Sequence, residues 1–133
     1  MNRLLMFTPP GGAPPLSVFL RSLDPKLRAK LESLFLMLAV TPVKLINEPY
    51  VKHFTIEKYC GLYELRAKSK ILVRIIFTVQ PGGDILFLAP FVKSHKRNTM
   101  QALDTSLKML SQLNDGTGFT RELTINTLTE VRK

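Results

Sequence analysis

The chain has 133 residues, of which 45% are hydrophobic, so we predict one folded domain with one core rather than a disordered chain. Lys and Arg number 19 against 10 acids, a formal net charge of +9. This balance favours a polyanionic partner, with nucleic acid ahead of an acidic membrane surface or an acidic protein. The longest apolar run, at 34–40, is far shorter than the roughly 20 residues of a membrane-spanning helix.

The N-terminus and the cysteine content indicate the compartment. Residues 1–10 lack the full apolar region and the cleavage site of a signal peptide. The single cysteine, Cys60, cannot form an internal disulfide. We therefore expect a cytoplasmic protein. The few Cys and His residues argue against a zinc site, and we expect no metal and no cofactor.

The N-terminal third predicts one strand and then helices. Residues 4–7 form a short apolar run typical of a strand, and the Pro- and Gly-rich segment 8–15 predicts a turn or linker. After a brief helix within 17–21, Asp24 is a good N-cap and Pro25 suits the first position of a longer helix. Apolar residues at spacings of three and four mark the core-facing side of that helix: Leu27, Leu31, Leu34, Phe35 and Leu38.

The middle of the chain predicts strands. Four segments are rich in aromatic and aliphatic residues: 50–54, 61–67, 71–79 and 84–92. The sequence "QPGGD" between the last two is typical of a tight hairpin. These segments predict an antiparallel meander with one apolar and one charged face, because apolar and charged residues alternate in the second segment: Tyr63, Leu65 and Ala67 against Glu64, Arg66 and Lys68.

A second amphipathic helix follows the strands, with one apolar stripe: Met100, Leu103, Leu107 and Leu110. We predict an α+β fold, a small antiparallel sheet with helices packed on one face and charge displayed on the other. Residues 1–113 would form the domain. Residues 114–133 would be a C-terminal extension, either an added strand or a flexible tail.

Basic residues gather where the strands end. If the hairpins have ordinary register, Arg66 and Arg74 lie on neighbouring strands, and the last strand pairs beside Arg74. A concave basic patch is then predicted, to which the strand ends and turns add further residues: Lys68, Lys70, Lys93, His95, Lys96 and Arg97.

Several of these residues allow two interpretations. Arg74 interrupts an apolar strand, so it either pairs with an acid such as Glu64 or binds phosphate through its planar donors. His95 is either a solvated turn residue or a general acid or base. Tyr63 either packs or stacks on a base. His53 is interpreted as structural.

Known catalytic motifs are missing from the sequence, including GxxxxGK[ST], GxSxG and HExxH. The carboxylates are sparse and unclustered, which disfavours a nuclease with acidic metal ligands. A nuclease built from these residues would be metal-independent. It would stabilise a pentavalent phosphorane with cations and move the proton of a 2′-OH, and its substrate would therefore be RNA.

A longer pattern carries a family resemblance: "PYVKHF", "GLYELRAKS", "VRIIFTV", "GGDILFLAPFVKSHKRNT" and "ALDTSLKML". Together with the helical segment before it, this pattern resembles the RelE/HigB superfamily of bacterial type II toxins, in its phage-derived Gp49-like branch, over roughly 16–113. The resemblance implies a RelE-like, microbial-RNase-like α+β fold. It also implies a toxin that is an mRNA interferase, an endoribonuclease that inhibits translation by cutting mRNA on the ribosome.

The resemblance also implies site residues and partners. Arg66, Arg74 and Lys93 match the family's arginines and lysine, and Lys96 and Arg97 would follow the RNA backbone. Two positions depart from the usual pattern. Ala89 stands where a His is frequent and Ser94 replaces a Lys, so that His95 is left as a candidate for proton transfer. The implied partners are a cognate antitoxin, often a helix-turn-helix protein, together with mRNA and the ribosome. Operator DNA would be bound only through the antitoxin complex, and no membrane partner is expected.

Two other functions remain open from sequence. A toxin of the same fold could inhibit DNA gyrase, as the related ParE branch does. A phage-derived module could bind nucleic acid or regulate its operon without catalysis.

Overall fold

The computed structural model describes residues 1–124. Within that range the chain forms three α-helices and six β-strands, with short 3₁₀ turns at Val43–Leu45 and Glu57–Tyr59. The α+β class predicted from sequence is confirmed. The elements in chain order are β1 (Leu4–Thr8), α1 (Pro15–Ser22), α2 (Pro25–Val40), β2 (Val51–His53), β3 (Leu62–Lys68), β4 (Leu72–Val79), β5 (Ile85–Val92), α3 (Lys96–Asn114) and β6 (Phe119–Glu122).

The strands form a single sheet in the order β2-β3-β4-β5-β1-β6. The predicted antiparallel meander is confirmed in β2 to β5. The N-terminal strand β1 is inserted between β5 and β6, parallel to β5 and antiparallel to β6. All five residues of β1 are buried, as expected for a strand that is covered on both faces.

One face of the sheet packs against α1 and α2. Asp24 caps α2 as its sequence position predicts, since its Oδ1 accepts a hydrogen bond from the Leu27 amide at 2.9 Å. The predicted stripe of α2 lies in the core under this face, with Leu34 only partly buried. These helices meet the odd-numbered side chains of β3 and β4, such as Leu65 and Ile75.

The other face of the sheet is covered in part by α3, which corrects the prediction that all helices pack on one face. Of the predicted stripe of α3, Leu103 is buried, Leu107 and Leu110 are partly buried, and Met100 is exposed. Apolar residues from four strands of this face form a second core with α3: Leu5, Leu62, Ile76, Leu86, Leu88, Ala102, Leu103 and Met109. An amphipathic stripe predicts that a helix is packed, but both faces of this sheet offer apolar area to receive it. The charged side chains of β3 and β4, from Glu64, Arg66, Lys68 and Arg74, leave this same face.

A β-bulge divides β5. Phe77 on β4 pairs with Phe87, whereas Ile75 pairs with Pro90, so Leu88 and Ala89 together oppose the single residue Ile76. The extra residue shifts the side-chain alternation of β5 by one position. Both Leu88 and Ala89 are buried on the α3 side as a result.

The predicted C-terminal extension begins as α3 ends. A turn containing Gly116, whose φ is +82°, leads into β6, which pairs with β1, so the added strand is found at Phe119–Glu122. Leu123 is buried in the first core. The rest of the extension, residues 125–133, lies outside the described residues. Over residues 1–124, none of the helices combines the length and apolarity that crossing a bilayer requires.

Candidate functional site

Two arginines lie side by side on the sheet. Arg66 of β3 and Arg74 of β4 are direct partners in the register, as the sequence predicts. Their side chains leave the same face, on the part of it that α3 does not cover. Like charges directly opposite each other on neighbouring strands destabilise a sheet. The arginine pair, meaning Arg66 and Arg74, therefore requires a negative group nearby.

Glu64 provides that group from the same face of β3. Its Oε1 accepts a hydrogen bond from Arg66 Nε at 2.9 Å and lies 3.6 Å from Arg74 Nε. The Glu64 side chain is completely buried. A second carboxylate, Glu48, accepts a hydrogen bond from Arg66 Nη1 at 3.1 Å and is 62% exposed. The arginine pair is thus anchored from beneath by a buried acid and at its side by an exposed one.

Arg74 is the less well paired of the two arginines. Its Nη1 donates to the carbonyl of Val73 at 3.1 Å, and its buried Nε makes no hydrogen bond in the part of the chain that the structure describes. Burial lowers the pKa of the Arg74 guanidinium, Glu64 opposes that shift, and the charge of Arg66 adds to it. The guanidinium nevertheless remains charged, as arginine does in proteins. The two interpretations of Arg74 are compatible, because pairing with Glu64 leaves it donors for an anion.

Lys93 joins the arginine pair through the bulge. Its amide donates to the Leu72 carbonyl at 2.8 Å, two positions beyond the pairing of Arg74 with Phe91. The alternation along β5 therefore places Lys93 on the same face as Arg74. Lys93 is half-buried, and the site now has cations from three neighbouring strands or strand ends.

His95 lies between Lys93 and the first turn of α3. It is the exposed N-cap residue of that helix. Asn98 Oδ1 accepts hydrogen bonds from the amides of His95 at 2.7 Å and Ser94 at 2.9 Å. The side chain of Asn98 therefore fixes the turn that leads from Lys93 into the helix, with the imidazole of His95 on the surface.

The predicted RNA-binding residues are distributed around this site. Lys68, Lys70, Lys96 and Arg97 are all exposed. Lys70 lines a shallow hollow with residues of the α2 N-terminus. Tyr63 is not brought to the arginine pair. It lies on the opposite face of β3, stacked on Phe77 with ring centroids 5.2 Å apart.

His53 packs against Tyr63. The two rings meet edge to face at 4.9 Å, and His53 Nε2 hydrogen-bonds the Ile46 carbonyl at 3.0 Å. These contacts agree with the structural interpretation of His53.

An open pocket of about 560 Å³ lies beside the arginine pair. Its walls come from α2, from the segment before β2 and from the adjoining ends of β3 and β4: Lys30, Ser33, Leu34, Pro49, Tyr50, Arg66, Ala67, Lys68, Leu72 and Arg74. We refer to it as the arginine pocket. Lys30 Nζ donates to the Lys68 carbonyl at 2.7 Å, so that α2 is tied to β3 at its rim.

Three residues of this region carry no functional signal in the sequence. Glu48 precedes the predicted strand 50–54 and Tyr50 is its first residue, whereas the observed β2 has only three residues, Val51–His53, so alternation does not show which way the two side chains face. Lys30 reads as a solvated residue off the apolar stripe of α2. The sequence does show that the segment "NEPY" leaves regular structure just before β2, because it contains Pro49.

The chemistry of the site is that of an anion receptor. The arginine pair offers planar donors suited to phosphate oxygens, and Lys93 adds a point charge. His95 and Glu48 are both exposed and able to exchange a proton. Within residues 1–124, no three His, Cys, Asp or Glu side chains converge in a way that could hold a metal ion.

Comparison with known families gives a match over most of the chain. The family model described as "Phage derived protein Gp49-like (DUF891)" matches residues 18–111, which include every strand from β2 to β5 and most of α3. No match to a curated protein is found.

Proposed function

The chain belongs to the phage-derived Gp49-like family, and we propose that it is the toxin of a type II toxin–antitoxin system, acting as a metal-independent endoribonuclease. Family membership suggests a phage-derived toxin of the toxin–antitoxin type. The finer assignment, an mRNA interferase that cuts ribosome-bound mRNA in the cytoplasm, is our proposal. The observation that carries it is the arginine pair, held on one sheet face by the buried Glu64.

The proposed reaction uses these groups as follows. The arginine pair holds the scissile phosphate and stabilises the negative charge that grows on its oxygens as the 2′-OH attacks. Lys93 adds a further positive charge. Attack of the 2′-oxygen on phosphorus breaks the bond to the 5′-oxygen of the next nucleotide and leaves a 2′,3′-cyclic phosphate. The 2′-OH loses a proton and the departing 5′-oxygen gains one, and two exposed groups are candidates for these transfers, His95 beside Lys93 and Glu48 beside Arg66. No step of this reaction requires a metal.

The proposed partners follow from the same assignment. A cognate antitoxin, of helix-turn-helix type in many such pairs, would neutralise the toxin, and the complex would bind operator DNA. Lys68, Lys70, Lys96 and Arg97 would contact the RNA backbone or the ribosome. Residues 1–113 would be the toxin domain and 114–133 its extension.

The test is brief expression in a bacterial host, followed by mapping of mRNA 5′ ends. Wild type is expected to arrest growth and to generate new 5′ ends within coding regions. Arg74→Ala is expected to abolish both effects. Arg121→Ala, which removes an exposed arginine from β6, is the matched control and should behave as wild type.

Two results would contradict the proposal. If wild-type expression leaves growth and mRNA intact, the protein is not an mRNA interferase under these conditions and a non-catalytic module is favoured. Growth arrest with intact mRNA and an induced DNA-damage response would instead identify a gyrase inhibitor.

A further inference from the structure

The arginine pocket has a composition that phosphate binding alone does not require. Its lining includes the aliphatic side chains of Leu34 and Leu72 and, from the segment before β2, Pro49 and Tyr50. A site for a bare phosphate needs converging donors and little apolar area. This pocket is lined by four cationic side chains and also by a larger apolar area.

Tyr50 is the distinctive wall residue. Tyr50 is 50% exposed, although burial of an aromatic ring is favourable. Its position is fixed through the backbone rather than the side chain, because the Tyr50 carbonyl accepts a hydrogen bond from the Arg66 amide at 2.9 Å. Tyr50 therefore lines the same pocket as the arginine pair and keeps about half of its surface exposed.

The charge around the pocket selects the kind of occupant. Lys30 and Lys68 stand at its rim in addition to the arginine pair, and the whole chain has a formal net charge of +9. An occupant with a flat apolar ring next to a negative charge fits this combination. Each nucleotide of RNA has that construction, with a base a short distance from a phosphate.

We propose that the arginine pocket binds a nucleobase of the nucleotide adjoining the phosphate held by the arginine pair, and that Tyr50 stacks on that base. The proposal rests on the proposed function for its ligand class, single-stranded RNA. It adds a base-binding contact to a site that otherwise reads only the backbone. The pocket volume of about 560 Å³ lies within the range of ligand pockets in proteins.

The experiment compares two short RNA probes on the full-length protein. One is a trinucleotide with 2′-O-methyl groups, which cannot be cleaved by attack of a 2′-OH. The other has the same backbone and charge but an abasic sugar at the middle position. We expect wild type to bind the trinucleotide at least about fivefold more tightly, the lower end of what one base–aromatic stack contributes.

Variants of Tyr50 separate stacking from structure. Tyr50→Ala should remove the preference for the trinucleotide and leave the affinity for the abasic probe unchanged. Tyr50→Phe should keep the preference, since the ring remains. Phe119→Ala, which removes a similarly exposed aromatic ring from β6, is the matched control and should change neither affinity.

The proposal is overturned if wild type binds the two probes equally, if neither probe binds at millimolar concentration, or if Tyr50→Ala weakens both probes alike. These outcomes are distinct from failure of the proposed function. Base-dependent binding without mRNA cleavage in cells would refute the nuclease and leave the pocket in place. Cleavage with equal binding of the two probes would refute only the pocket.

Discussion

Replacement of Glu64 by Gln tests how the arginine pair is held. The change keeps the size of the side chain but removes the buried negative charge that both guanidinium groups share. Loss of one partner from a buried ion pair costs about 3–5 kcal/mol. Arg66 keeps its contact with Glu48, and the two arginine side chains are 21% and 11% exposed, so that water and the remaining contacts recover part of this energy. We expect Glu64→Gln to lower the free energy of unfolding by about 2–3 kcal/mol.

The measurement is urea unfolding at neutral pH, with Glu48→Gln as the control. Glu48 also pairs with Arg66 but is largely exposed, and exposed pairs contribute about 0.2–1 kcal/mol. Adding Arg74→Met to Glu64→Gln should recover stability, because one of the two unbalanced charges is removed. The reasoning is refuted if Glu64→Gln costs no more than Glu48→Gln, or if the double variant is less stable than the single one.

Three further predictions concern catalysis, acid stability and helix capping. Lys93→Met should slow single-turnover mRNA cleavage by about tenfold or more, as loss of one charge-assisted contact implies. Lys108→Met on the exposed side of α3 is the control and should leave the rate unchanged. Equal rates for the two variants would exclude Lys93 from the site. The backbone amide of Arg3, and then its side chain, hold the pKa of Asp84 below 3.8, so Asp84 stabilises the fold above that pH and this contribution is lost as the pH falls through the lower, folded-state pKa. Urea titrations at a series of pH values should therefore show a shallower acid loss of stability in Asp84→Asn, and an unchanged slope would contradict this. Asp24→Ala should lower the free energy of unfolding by about 1 kcal/mol and Asp24→Ser should not, and similar losses in both would show that the cap contributes little.

The sequence predicts the parts of this protein that depend on local pattern. Hairpins with short turns leave little freedom of register, so the pairing of Arg66 with Arg74 follows from counting along two strands. The α2 cap at Asp24 is equally local. Glu64 is predicted as a partner for Arg74 because alternation puts it on the same face as Arg66, two residues away.

Features that depend on distant parts of the chain are not predicted. Nothing local shows that β1 enters the sheet between β5 and β6, or that α3 covers the face opposite to α2. Glu48 reaches Arg66 across 18 positions of sequence, through a segment without regular structure. The sequence allows two interpretations of Tyr63, and the contact with Phe77 in the structure shows that its ring packs in the core.

The bulge in β5 lets one strand contribute both to the core and to the site. Residues before it, such as Phe87, are in phase with the core, and residues after it, such as Phe91 and Lys93, are in phase with the arginine pair. Substitutions on either side can therefore accumulate independently. A change of length can be absorbed at the bulge, because deletion of Ala89 would leave Leu88 alone opposite Ile76 and would keep Lys93 on the face of the arginine pair. Relatives that bind the same anion can thus have either one or two residues opposite the position of Ile76, provided that a cation follows at the position of Lys93.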